Sequence, residues 1–190
     1  MRSPSRIQNF SPRWSRCATR RNEFVLKTDK IYLVGFMAAG KTTLAQALAR
    51  RLGWRAEDVD VLVEARERRT VAEIFARDGE PYFRSVERQV IWSLLPQRHA
   101  VVATGGGTFV DPENRAAINA DGVSVWIDVP FEELLNRIPA DGRRPLANDR
   151  VQMALLYETR RLAYQQAQLR LDASRSRSEE LVEQLLEQLE

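Results

Sequence analysis

Residues 35–42 read Gly-Phe-Met-Ala-Ala-Gly-Lys-Thr, a GxxxxGK[ST] pattern suited to holding a polyphosphate. The small residues Gly35, Ala38, Ala39 and Gly40 let the backbone wrap an anion, while successive N–H groups and the start of a following helix supply positive potential. Lys41 reaches the terminal phosphates, Thr42 offers a hydroxyl to Mg²⁺, and Thr43 continues the nucleotide-facing run. Asp58-Val-Asp60 comes next, with Glu64 one helical turn after Asp60. Paired carboxylates near a phosphate site can hold a hydrated Mg²⁺ and accept a proton from an attacking hydroxyl. DxD is weak as an isolated pattern, and a helix N-cap is the alternative role for Asp60.

These residues need elements to position them, and the sequence supplies alternating strand-length apolar runs and stretches of helical period from Lys30 onward. That is the pattern of βαβ units on a parallel sheet. Ile31 to Phe36 is the first expected strand, followed by a helix with Leu44, Leu48 and Leu52 at intervals of four that stops at Gly53. A second strand near Trp54 to Asp58 is placed by position more than by hydrophobicity, because it contains Arg55 and Glu57. Thr70 and Glu73 form a capping-box pattern, and from about Glu80 a helix turns Phe83, Val86, Val90, Ile91 and Leu94 inward until Pro96. Strands follow at Val101 to Thr104, Val123 to Asp128 and Leu169 to Asp172; Asp111 and Pro112 open a short helix, and a longer one runs from about Asp149 to Ala167. Residues 139–150 are turn-rich with three arginines, as in a mobile surface loop. Leu181, Val182, Leu185, Leu186 and Leu189 share one face of a closing helix expected to pack on the sheet, with partner binding as the alternative.

Composition bounds the rest. A chain of 190 residues with 44% apolar and 29% charged residues suits one globular domain, and no apolar run approaches the length of a membrane span. The single cysteine, Cys17, can form neither an internal disulfide nor a CxxC site, which fits a reducing cytoplasm. The net charge of +3 has a local source: residues 1–23 hold six arginines and one acid, and taking these from the 29 basic and 26 acidic residues leaves a remainder of −2. A chain-wide case for nucleic-acid binding therefore fails. Residues 1–28 read as a basic, disordered extension ahead of a domain at 29–190, with an organelle transit peptide or a nucleic-acid arm as alternatives.

Four motifs taken together are specific. Asp58-Val-Asp60, then IFARDGEPYFRSVE from Ile74 to Glu87, then Gly105-Gly106-Gly107, then Arg144-Pro145-Leu146 resemble the shikimate kinase family in order and spacing over about residues 30–190. The resemblance implies a three-layer α/β domain, a five-stranded parallel sheet in order 2-3-1-4-5, and phosphoryl transfer from ATP, with Mg²⁺, to the 3-hydroxyl of shikimate. It further implies that Arg84 and Arg160 grip the substrate carboxylate, that Asp60 binds its hydroxyls and acts as base, that Gly105, Gly106 and Gly107 approach it through their backbone, and that Glu87 holds Arg84 in place. Arg144 would be a lid arginine over the phosphates, Arg137 would stack on adenine, and Asp58 with Thr42 would approach Mg²⁺. The expected protein is a monomer that binds neither nucleic acid nor membrane.

Several residues depart from the family pattern or fall outside it. Ala38 stands where many relatives have glycine, Leu162 where RxPLY has proline, and Ala147 where leucine follows RPL. Arg175 or Arg177 could flank adenine, but the spacing from Tyr164 to Asp172 is one residue short, leaving that contact unassigned. His99 has no metal-ligand companion and reads as a solvated connector; Asp128 ends a strand as a structural or turn residue. A gluconate-type or nucleoside monophosphate kinase, or a non-catalytic nucleotide-binding relative, remain as alternatives; the guanine-reading NKxD of a GTPase is missing.

Overall fold

Ile31, Tyr32, Leu33 and Val34 have no accessible surface, because their strand lies in the middle of a sheet covered on both faces. A strand so placed is apolar at every position rather than at alternate ones. The computed structural model describes residues 26–137, 150–174 and 177–190. Within them the chain runs β1 (Lys30–Val34), α1 (Lys41–Leu52), β2 (Arg55–Asp58), α2 (Val59–Glu67), α3 (Val71–Leu94), β3 (Ala100–Ala103), α4 (Pro112–Asp121), β4 (Val123–Asp128), α5 (Phe131–Arg137), α6 (Arg150–Tyr164), β5 (Leu169–Asp172) and α7 (Ser178–Leu189). The five strands are parallel in order β2-β3-β1-β4-β5, with Ile31 beside both Val101 and Val123. Helices cover both faces, α1 packing with α7 and α3 with α2 and α4. The expected three-layer fold and strand order are therefore found.

Local signals account for most boundaries. Gly53 ends α1 in the left-handed conformation at φ 71. Thr70 and Glu73 complete the capping box of α3, and Asp111 caps α4 with Pro112 in its first turn. The five apolar residues of α7 are all buried, packing chiefly along α1 and β5 rather than over the sheet as a whole. β1 ends at Val34, two residues short of the expected Phe36, because the chain turns into the loop at Gly35, φ 141. β2 is an edge strand paired only with β3, so Arg55 and Glu57 are tolerated there and its hydropathy is weak. Helix α5 has no counterpart in the expected elements. His99, in the connector before β3, is exposed at φ 54 with its ring edge-on to Trp54.

At the opposite end of the sheet from the phosphate loop, Lys30 is fully buried. Its Nζ donates to the carbonyls of Leu94 and Leu95 at 2.8 and 2.9 Å and to Asp121 Oδ2 at 2.6 Å. The Tyr32 hydroxyl donates to the same oxygen at 2.6 Å, and Arg98 to the other at 3.0 Å. Burial alone would raise the Asp121 carboxyl, but the hydrogen bonds from Lys30 and Tyr32 and the charge of Lys30 hold it below its ordinary value.

Candidate functional site

Among the described residues the phosphate loop, Asp58-Val-Asp60 and the glycine run lie at the carboxyl ends of the strands, where open α/β sheets bind ligands. Gly35 follows β1, Asp58 ends β2, Gly105 lies two residues beyond β3, and Asp128 ends β4.

In the phosphate loop, Lys41 is 9% exposed and its Nζ donates to the carbonyls of Gly35 and Phe36 at 3.0 and 2.7 Å. Gly40 stands as the N-cap of α1 at φ 90, so the first-turn N–H groups of a twelve-residue helix face the loop. Ala38 adopts φ 60, a left-handed conformation that costs an alanine about 1 kcal/mol. This is the physical reason glycine suits that position. Ala38→Gly should therefore raise Tm by roughly 1–4 °C, the relief being partly offset by the freer unfolded chain. A thermal melt checks this, and a lower Tm would mean that the methyl group contributes packing that outweighs the strain.

Asp58, not Asp60, is the N-cap of α2: its Oδ1 accepts from the N–H groups of Asp60 and Val61 at 3.0 and 3.3 Å. Its other oxygen accepts from the Thr42 hydroxyl at 2.6 Å, joining the second strand end to the phosphate loop. A hydroxyl and a carboxylate so close form a hard-oxygen pair of the kind that holds Mg²⁺ alongside phosphate oxygens. Among the described residues there is no group of three or more His, Cys, Asp or Glu side chains that could hold a metal ion. Glu64, whose Oε1 accepts from the Val71 N–H at 2.9 Å, instead ties α2 to the start of α3.

Asp60 is left to project from the first turn of α2 toward the glycine run. A Cβ on Gly105 would stand 2.9 Å from Asp60 Oδ1 and 2.6 Å from Glu87 Oε1, so only glycine admits both carboxylates. A Cβ on Gly107 would collide with the Arg84 guanidinium, its carbon being 2.5 Å away. Gly106 lies at the seam, its missing Cβ 3.2 Å from Arg160 Nη1 and 3.4 Å from the Met37 N–H nitrogen of the phosphate loop. The turn thus brings Asp60, Arg84, Arg160 and the phosphate loop together, although they are scattered over more than 100 residues of sequence.

The two arginines differ in how they are balanced. Arg84 is 23% exposed, bonded through Nη1 to the fully buried Glu87 at 2.8 Å and through Nε and Nη2 to Glu80 at 3.1 and 2.9 Å. Burial works against its charge, but the attraction of Glu87, with hydrogen bonds to Glu87 and Glu80, holds its pKa above the ordinary arginine value. Arg160 is 7% exposed and stacks over Phe36 at 5.8 Å, with no carboxylate within 4 Å among the described residues. Burial lowers its pKa; Tyr164 opposes this without overcoming it, and the nearby Arg84 charge adds a lesser lowering. A buried guanidinium without a carboxylate is an electrostatic vacancy for an anion. Tyr164, one turn further on, donates its hydroxyl to the Gly106 carbonyl and fixes α6 to the glycine turn.

Beside the phosphate loop a cavity of about 420 Å³ is bounded by Ala39, Gly40, Thr43, Ile127, Arg137, Ala173, Arg177 and the first residues of α7. Arg137 reaches Glu133 and the Ala173 carbonyl, both at 3.3 Å. Arg177 therefore borders the cavity that the sequence left without a firm second flank, and Ser178 and Glu179 join it with no motif to announce them. Arg175 lies outside the described residues, as do Arg144, Ala147 and the loop at 139–149. Asp128 is occupied by Arg170 at 2.5 and 2.8 Å, consistent with a structural role. Leu162, at the position of the family's proline, is exposed and α6 runs through it unbroken.

A phosphate loop between the central parallel strand and the helix that follows it, beside a buried arginine and a nucleotide-sized cavity, defines a P-loop kinase. The family model described as shikimate kinase matches residues 37–190. The chain is 41% identical over 157 residues to a shikimate kinase of Synechococcus elongatus, covering 81% of this chain and 82% of that one. It is 37% identical over 157 residues to a shikimate kinase of Persephonella marina, covering 82% and 96%. A shikimate kinase from Acinetobacter baumannii, solved in complex with shikimate, superposes with a TM-score of 0.82 at 31% identity, covering 85% of this chain and 93% of that one. The chain belongs to the shikimate kinase family.

Proposed function

We propose that this chain transfers the γ-phosphoryl group of ATP to the 3-hydroxyl of shikimate, giving ADP and 3-phosphoshikimate. The observation that carries the reading is the convergence of Asp60, Arg84 and Arg160 on the Gly105–Gly107 turn, with Gly106 touching both Arg160 and the phosphate loop. A small carboxylate bearing vicinal hydroxyls meets those groups in turn. Its carboxylate satisfies Arg160, which lacks a counter-charge among the described residues, and is shared with Arg84. A hydroxyl then lies toward Asp60, on the side of the phosphate loop.

In this reading Lys41 exchanges the carbonyls of Gly35 and Phe36 for phosphate oxygens when ATP binds. Asp60 orients the 3-hydroxyl and accepts its proton as the oxygen attacks phosphorus, while the bond to the ADP oxygen breaks. Thr42 and Asp58 would hold Mg²⁺, which when bound neutralises charge on the phosphates. Arg144, by its likeness to the family's lid arginine, would add positive charge and exclude water. Arg137 and Arg177 border the place for adenine. We further read the protein as a cytoplasmic monomer that does not bind nucleic acid or membrane. The near-neutral charge beyond the basic tail and the single cysteine support this. Among the described residues no helix is long and apolar enough to cross a membrane.

The test offers ATP and Mg²⁺ with shikimate, gluconate and nucleoside monophosphates in parallel and follows ADP release. Turnover that depends on shikimate is expected. Its absence, or faster turnover with another acceptor, would overturn the assignment.

A further inference from the structure

Arg84 is gripped by two carboxylates, and the two are not equivalent. Glu87 is fully enclosed, with Oε2 on Arg84 Nη1 at 2.8 Å and Oε1 accepting from the Thr108 hydroxyl at 2.6 Å. Glu80 is 51% exposed, and its single oxygen Oε1 accepts from Nε and Nη2 together, at 3.1 and 2.9 Å. A guanidinium has five N–H groups in one plane. With three engaged by Glu80 and Glu87, one remains on each terminal nitrogen, the arrangement that a carboxylate can meet with both of its oxygens.

Glu80 opens the helical segment that carries Arg84, since the path breaks one residue earlier. Gly79 lies at φ 79, ψ 173, a region essentially closed to residues with a side chain. Pro81 then fits the first turn of the restarted helix, and Glu80 stands one turn before Arg84 on the same face. Glu87 holds only one nitrogen, which leaves the guanidinium free to turn about its terminal bonds. Glu80 removes that freedom.

We propose that Glu80 is a positioning residue for acceptor binding: it pins the Nε edge of Arg84 so that the guanidinium keeps its place against the glycine turn. The proposal rests on Arg84 receiving the acceptor carboxylate. It separates two properties of Glu80, its acceptor oxygen and its charge. The oxygen aims Arg84, whereas the charge opposes an incoming anion.

The test compares Glu80→Ala and Glu80→Gln in full steady-state kinetics with ATP, Mg²⁺ and shikimate. Glu80→Ala should raise the shikimate KM about five-fold, the scale of a partly exposed pair, with kcat and the ATP KM unchanged. Tm should move little, since the residue is half exposed. Glu80→Gln, which keeps an acceptor oxygen and loses the charge, should return the shikimate KM to the unaltered value or below it. A shikimate KM in Glu80→Ala that is unchanged or lower would overturn the proposal, as would a Glu80→Gln KM raised as much as that of Glu80→Ala. Absence of shikimate turnover in the unaltered chain would overturn the proposed function as well, whereas normal turnover with an unmoved Glu80→Ala KM overturns this inference alone.

Discussion

Asp60→Asn is expected to lower kcat at least about 100-fold while leaving the ATP KM within about two-fold. The substitution keeps the size and hydrogen-bonding shape of the side chain and removes its basicity and charge. Asp60 sits in the first turn of α2, where its own N–H is held by the Asp58 cap, so the backbone that presents it does not depend on its carboxylate. The Asp58–Thr42 contact at the phosphate loop is likewise untouched. The loss should therefore fall on the chemical step and on acceptor binding, with nucleotide binding preserved. Steady-state kinetics against both substrates give the answer. A fall in kcat of less than about ten-fold would place the proton acceptor elsewhere.

The second large effect is on stability, at the far end of the sheet. Asp121→Ala should cost about 3 kcal/mol or more and lower Tm by about 6–12 °C, because it strands the ammonium of Lys30 in a site with no exposed surface. The Leu94 and Leu95 carbonyls still accept from it but supply no full charge. Removing the charge along with its partner, in Lys30→Met/Asp121→Ala, should recover much of the loss; no recovery would show that the effect comes from Tyr32 or Arg98 instead. The same cluster gives a pH dependence. The Asp121 carboxyl is held below its ordinary value of 3.8 in the folded protein, so its contribution is fully present above that value. It is lost as pH falls further, through the depressed folded value. The unaltered protein should therefore lose stability below about pH 4 more steeply than Asp121→Asn, which has no such group to protonate.

Much of this protein can be read without coordinates, and what can be read is what depends on near neighbours. The phosphate loop, the Gly53 stop, the Thr70–Glu73 capping box and the Asp111–Pro112 start each involve groups within a few residues of one another, so their chemistry is written in consecutive letters. The inward faces of α3 and α7 follow from helical spacing, which is local too. Acceptor class and strand order came from the likeness of four motifs to a family, since neither follows from periodicity. Tertiary structure decided the rest. Lys30 looks like a surface lysine at the edge of a strand until Asp121, 91 positions away, arrives beside it. Asp58 proved to be the cap and Asp60 the projecting acid, a distinction set by where β2 ends against β3. Arg177 borders the cavity beside the phosphate loop because α7 packs along α1. Arg84 has Glu80 and Glu87 within a helical turn in sequence, so its matching is local, whereas nothing in the residues adjacent to Arg160 says that it is buried with no carboxylate within 4 Å among the described residues. The sequence by itself determined which groups the chain possesses and the local turns that present them. Their charge balance, and hence which of them stands ready for an anion, was decided by long-range packing, because burial and counter-charge are properties of neighbours in space.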